Sequence, residues 1–451
     1  MPTNSPNVDI PGSPSEARRP RRRAAASRAT VFAVVVLGAG FAGVIGWLVG
    51  RTRSTAPITA PLERAPAPDA SRPKSPSPAP RSDPLDITQV ERLQRSFDPT
   101  AGEKTTIRFA LSRQADLSVN IHGPNRELIA AVLDKKAASA GLHTVDWDGR
   151  DWAGRVAPDE AYFVRIQAID GTESALWDPY VVSGGERVTA GVLTTPAPGR
   201  FQYQLPDACR VLVRSAVEKG PLVRTIVNWE PRTAGLCVED WDGMDSDGLR
   251  RVADIEGIRI GVMAFTLPDK SIITTGNTAI DYRSYYRDFG KERPHTDIAP
   301  RVKTSEALIS PHWEIPPHLN GDPRLTMAFV DVAGGATAKT PAAENAETHA
   351  TESPTGDSGK NVTRLTKNGR PVLVRVEVPD ASEMEFLNKQ RFELIVYVDD
   401  HRVIEVEQGH VPFTYPWDIS GLDPGLHTLT VNVSTFRNHV GTATRVVNVA
   451  P

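Results

Sequence analysis

Ala140-Gly141-Leu142-His143-Thr144-Val145-Asp146-Trp147-Asp148-Gly149-Arg150-Asp151 returns 94 residues later as Ala234-Gly235-Leu236-Cys237-Val238-Glu239-Asp240-Trp241-Asp242-Gly243-Met244-Asp245. The same offset, without a gap, sets Leu111 on Leu205, Val119 on Val213, Leu128 on Leu222 and Gly154 on Gly248. That is far more agreement than composition produces, so the chain holds a duplicated module of roughly 90 residues. In the first copy, alternating segments such as Thr106–Leu111 and Leu117–Ile121 lead to a corner made of Trp147, Asp148 and Gly149; the second copy has Trp241, Asp242 and Gly243 there. An indole at such a corner closes a core, and glycine admits positive φ. Each copy is expected to be a small antiparallel β-sandwich.

From Phe97-Asp98-Pro99 through Ile166 the first copy resembles the immunoglobulin-like module of the flagellar hook-cap family (FlgD-type Ig). The signature G-x-H-x-x-x-W-D-G-x-D-x-x-G is met by Gly141 to Gly154, and the Y-F-V-R strand that follows it by Tyr162-Phe163-Val164-Arg165. Ala161 stands where that family usually has Gly. The second copy keeps the Trp-Asp-Gly corner but carries Ile258-Arg259 at the Tyr-Phe position, after a two-residue insertion. The resemblance implies an Ig-like fold and an extracytoplasmic place, and says little about activity.

Working outward, residues 1–28 are polar and basic, with the run Arg18-Arg19-Pro20-Arg21-Arg22-Arg23, and can build no core. Residues 29–50 form 22 uncharged, mostly apolar positions, long enough to cross a hydrocarbon layer of about 30 Å. The upstream arginines place the N-terminus in the cytoplasm. An uncleaved anchor is favoured over a cleaved signal peptide because the apolar run exceeds a usual h-region. Gly38, Ala42, Gly46 and Gly50 recur every fourth residue, giving one nearly bare helix face suited to close packing against a partner helix or a second copy. The alternative is that Gly and Ala are simply common in such helices. The Pro/Ala/Ser tract that follows is an extended spacer.

The chain thus divides into a cytoplasmic tail (1–28), a transmembrane helix (29–50), a Pro-rich linker (51–91), a FlgD-like Ig domain (92–183) and a second one (184–275). Beyond lie an irregular aromatic-rich connector (276–315) and a third domain (316–451), carrying an Ala/Thr/Glu/Ser/Gly insertion at 334–362 that is expected to be disordered. The third domain's Y-V-D-D, P-F-T-Y-P-W-D and G-L-H-T-L-T-V segments resemble bacterial Ig-like repeats of envelope proteins. The fold class expected is all-β: tandem Ig-like β-sandwiches on a single N-terminal transmembrane helix. With 38 Pro in 451 residues and a formal net charge of −3, nucleic acid is not an expected partner.

Candidate chemistry is sparse. His295, His312 and His318 are weak metal candidates whose spacing fits no ligand pattern. Asp242, Asp245 and Asp247 with Gly248 resemble a calcium loop, but position 243 is Gly, and a turn accepting backbone N–H groups accounts for them better. Gly356-Asp357-Ser358-Gly359 lies in low-complexity sequence and is read as chance. Cys209 and Cys237 are expected as two buried thiols, a disulfide being the alternative; were they to open antiparallel neighbouring strands, they would stand too far apart to bridge. Tyr282, Arg283, Tyr285, Tyr286 and Arg287 have the composition of an interface centre, or else pack back on their own domains. No catalytic motif, cofactor or metal is expected. The reading is a membrane-anchored periplasmic scaffold or accessory subunit with membrane or periplasmic protein partners. The alternatives are a hook-cap-like assembly factor, and a glycan or peptidoglycan binder using Trp152 and Trp177.

Overall fold

The segment Thr105–Leu111 buries Thr105, Ile107, Phe109 and Leu111 and exposes or half-exposes the residues between them. That is the signature of a strand with one face on a core. The pattern recurs through a computed structural model that describes residues 84–124, 126–191, 193–197, 199–289, 322–330, 362–436 and 438–450. The described chain is all-β in architecture, with three short α-helices and a 3-10 turn at Pro99–Ala101 as accessories.

In the first sandwich the strands are β1 (Ile87–Arg92), β2 (Ser96–Phe97), β3 (Thr105–Leu111), β4 (Ala115–His122), β5 (Leu128–Ala138), β6 (Gly141–Trp147), β7 (Ala161–Asp170) and β8 (Glu173–Trp177), then helix α1 (Pro179–Val182). A three-stranded sheet β1-β3-β6 faces a larger sheet containing β7-β4-β5, with β8 beside β7. The second sandwich has β9 (Arg187–Val188), β10 (Thr194–Ala197), β11 (Arg200–Leu205), β12 (Cys209–Val217), β13 (Leu222–Arg232), β14 (Gly235–Asp240) and β15 (Ile258–Thr266), in sheets β10-β11-β14 and β13-β12-β15-β9. The sheets correspond strand for strand: β3-β6 to β11-β14, and β7-β4-β5 to β15-β12-β13. Register confirms the two-residue insertion, since Val119 pairs with Ile166 and Val213 with Val262.

The chain then turns back. Strand β16 (Ile272–Thr274) leaves the second sandwich and joins the first one's larger sheet, antiparallel to β7 and parallel to β2. Helix α2 (Tyr282–Phe289) follows it. The third sandwich comprises β17 (Thr326–Val330), β18 (Val362–Thr366), β19 (Val372–Glu377), α3 (Ala381–Asn388), β20 (Phe392–Val398), β21 (His401–Val406), β22 (Phe413–Trp417), β23 (Gly425–Thr435) and β24 (Val440–Ala450). Its sheets are β17-β19-β22 and β18-β24-β23-β20-β21.

Three boundaries differ from the sequence reading. The first sandwich begins at Ile87, because β1 pairs along β3, so the linker ends before residue 91. Residues 272–289 belong by packing to the first sandwich, since Ile272, Tyr282 and Tyr285 lie in its core. Val362 opens a strand, parallel to β24, and is not part of an insertion. The rest of 334–362 lies outside the described residues, as do residues 29–50. Among the described residues no helix is long and apolar enough to cross a membrane.

One buried group ties this fold to pH. His122, at the end of β4, is 1% exposed, stacks on Phe163 and takes the Arg126 carbonyl on Nδ1 at 3.0 Å. Burial, aided by the charges of Arg165 and Arg126 and opposed by the bond to the Arg126 carbonyl and by Asp178, lowers its pKa from 6.5 to about 4. The neutral ring is therefore the folded form. Its stabilisation is complete above pH 6.5 and drains as pH falls to about 4, because the unfolded chain takes the proton first, costing about 3 kcal/mol in all. Urea unfolding at pH 7.5 and 4.5 should show His122→Gln losing about 2–3 kcal/mol less than the parent over that interval.

Candidate functional site: the corners and the seams

The two corners make the same hydrogen bonds. Trp147 Nε1 donates to the Arg150 carbonyl at 2.9 Å, and Trp241 Nε1 to the Met244 carbonyl at 2.9 Å. Asp148 accepts from Arg150 N at 3.1 Å, and Asp242 from Met244 N at 2.9 Å. Gly149 and Gly243 sit at φ +77° and +78°, where a Cβ would strike Pro99 and Ala253 at 2.4 and 2.8 Å. Positive φ and close approach together explain the glycine. In the third sandwich the pair Trp417-Asp418 keeps only the aspartate's part, Asp418 accepting from Ser420 N at 2.9 Å with Ile419 in place of the glycine.

Beyond its corner, each repeat carries an aspartate that organises the next loop. Asp245 accepts from Leu249 N at 2.8 Å and Arg250 N at 3.3 Å, while Asp242 takes Arg224 at 3.2 Å. Asp247 reaches into the third sandwich, accepting from Thr444 N at 2.6 Å. The three carboxylates thus face different partners. Among the described residues no group of three or more His, Cys, Asp or Glu is placed to hold a metal. His295, His312 and His318 lie outside the described residues, as do Gly38, Ala42, Gly46 and Gly50.

The aromatic segment is a clasp and not an open patch. Tyr282 and Tyr285 are 2% and 3% exposed. Tyr282 donates to Glu127, and Tyr285 to Asp151 Oδ2 at 2.9 Å. Arg155 also binds Asp151, at 2.8 Å, and lies 3.9 Å from the Phe289 ring centroid. Tyr286 is half-buried against the same core. Arg283 crosses to Glu383 on α3 at 2.9 Å, and only Arg287, paired with Asp288 at 2.9 Å, is wide open to solvent. Tyr, Phe and Arg serve an internal seam with the same chemistry that they bring to an external one. Removing the hydroxyl in Tyr285→Phe takes a hydrogen bond from a carboxylate that is 0% exposed and should cost about 1.5–3 kcal/mol. Arg287→Ala should stay within about 0.5 kcal/mol of the parent in the same unfolding assay.

Two further seams join the domains. Between the first and second sandwiches, Arg210 donates to Glu160 Oε1 at 2.6 Å and to the Trp229 carbonyl at 2.8 Å, its side chain 6% exposed and that of Glu160 0%. Between the second and third, the Asn432 amide both donates to and accepts from the Leu222 backbone at 2.9 Å, as a neighbouring strand would. Asp322 gathers Arg214 at 2.9 Å, Thr225 at 2.6 Å and Val440 N at 2.8 Å, and Arg250 donates to both oxygens of Asp400 through Nη1 and Nη2.

Cys209 and Cys237 are buried free thiols on facing sheets, which corrects the neighbouring-strand arrangement considered from sequence. Burial pushes the Cys209 thiol up to about 12, so it is protonated at neutral pH. Trp152 lies beside Tyr285 and under Arg155, and Trp177 packs on the first core; they form no exposed aromatic row. Sequence reasoning missed Glu160, Arg210, Asp322 and Asn432. None belongs to a motif, and their partners lie 50 to 210 residues away.

This fold and these seams define a tandem of Ig-like β-sandwiches, two of which repeat one another. Residues 94–172 match the family model of the FlgD Ig-like domain. No curated protein sequence matches the chain. Among solved structures, the tetra-tandem repeat in the extending region of a large adhesion protein is 12% identical, covering 81% of this chain and 74% of that one, with a TM-score of 0.15. A 1.5-MDa bacterial ice-binding adhesin is 10% identical, covering 81% and 98%, also at 0.15. The Salmonella enterica SafA pilin in complex with the SafB chaperone is 10% identical, covering 35% and 86%, at 0.15. At such scores the overall arrangements do not superpose.

Proposed function

We propose that the chain is a single-pass inner-membrane protein, N-terminus cytoplasmic, whose Ig-like domains stand in the periplasm as a non-enzymatic scaffold that docks or stabilises an envelope complex. The observation that carries this reading is the set of seams. A returning strand and helix clasp the second sandwich to the first, and carboxylate–arginine bonds hold the third to the second. Such construction suits a platform that presents surfaces at fixed separation. The family match of the first sandwich agrees with a role in protein interaction, and the apolar run 29–50 with anchoring. We read the second sandwich as a divergent FlgD-type module on its corner geometry, and the third as a bacterial Ig-like domain. The bare face of Gly38, Ala42, Gly46 and Gly50 is the proposed contact with a partner helix or a second copy.

The test is purification of the tagged full-length protein from its own membranes in mild detergent, with mass spectrometry of what co-elutes. A stoichiometric membrane or periplasmic complex is the expected result. Recovery in the soluble fraction, or as a lone monomer, overturns the reading.

A further inference from the structure

A cleft of about 530 Å³ opens where the first and second sandwiches meet. Its walls come from the end of β1, the connection into β9, the turns joining β11 to β12 and β13 to β14, and the segment leading to β16. Three of its lining groups, Arg92, Arg95 and Lys270, have no carboxylate within ion-pair distance among the described residues. Arg92 Nε is buried and makes no hydrogen bond among them. Burial and then the like charge of Arg95, opposed by Asp269, hold the Arg92 guanidinium below its ordinary value. A half-buried guanidinium that makes no direct ion pair, beside a second and exposed one and with only Asp269 acting on it at longer range, gains from an anion that completes the site. Elsewhere in this chain buried arginines are partnered, as Arg210 is by Glu160 and Arg214 by Asp322.

The rest of the lining limits what that anion is. Glu91, Glu186, Asp207 and Asp269 share the cleft with the three cations. A polyanion would meet these carboxylates at once, whereas one carboxylate group on a neutral body would not. Paired guanidinium groups match a carboxylate in geometry as well as charge. We propose that the cleft binds an organic carboxylate the size of a short peptide, its carboxylate held by Arg92 and Arg95. The lining includes none of the residues of the seam ion pairs, and this reading does not depend on membrane anchoring.

Calorimetric titration of the detergent-solubilised full-length chain with trialanine, trialanine amide and inorganic phosphate tests this. Trialanine should bind with Kd below about 1 mM and the amide about tenfold or more weakly. Arg92→Gln should abolish the difference. Arg95→Gln, at an exposed position, should do so as well and decides the matter if the first variant does not fold. Equal binding of acid and amide, no binding of either, or unchanged preference in Arg95→Gln overturns the proposal. Phosphate binding tighter than trialanine also overturns it, in favour of a simple inorganic-anion site.

Discussion

Arg210→Met should lower the unfolding free energy of the chain by about 3–5 kcal/mol, because it leaves the Glu160 carboxylate buried without its cation. Glu160 also accepts from Ala161 N at 2.7 Å, a bond that does not replace a cation beside a charge with no access to water. The methionine fills most of the volume of the arginine stem, so lost packing accounts for little of the effect. The double variant Glu160→Gln/Arg210→Met should recover more than half of the loss, since removing both charges also removes the desolvation cost. Urea unfolding of the two variants beside the parent reads this directly. Equal destabilisation in single and double variants would mean that the seam depends on shape and not on the charge pair.

Trp147→Ala should cost about 3–5 kcal/mol, as large-to-small changes of buried aromatics do. The indole, 2% exposed, meets the edge of Phe97 at 5.7 Å and of Tyr162 at 5.2 Å between centroids. It also satisfies the Arg150 carbonyl. Tyr162 in turn neighbours Tyr282 of α2 at 6.2 Å, so the cavity would open beneath the clasp. Trp241→Ala, at a position 8% exposed, should cost less, nearer 2–3 kcal/mol. A reversed order would show that the clasp, and not the corner, carries the first sandwich.

The corners were legible because a Trp-Asp-Gly turn is local: an indole, a side chain bonding two residues ahead, and a glycine at positive φ follow from adjacent positions. Strand alternation made the sandwiches legible for the same reason. The seams were not. Glu160 and Arg210 stand in separate repeats, and nothing near either marks them as a pair. Tyr282 and Tyr285 bear the composition of an exposed interface because burial against one's own domain and against a partner select the same side chains. Ile272–Thr274 is too short to read as a strand, and its partners lie more than 100 residues earlier. Arg92 and Arg95 carried no signal, since a cleft between repeats exists only after both have folded.

The return of β16 and α2 has a genetic consequence. A duplication normally yields modules that recombination can shuffle, each a contiguous stretch of coding sequence. Here the first copy is completed by residues encoded after the second. An intragenic crossover that lifted out residues 92–183 would strand them without Ile272, Tyr282 and Tyr285, members of their own core. The pair is therefore inherited as one indivisible unit, and grafting the first repeat into another protein requires carrying the second with it.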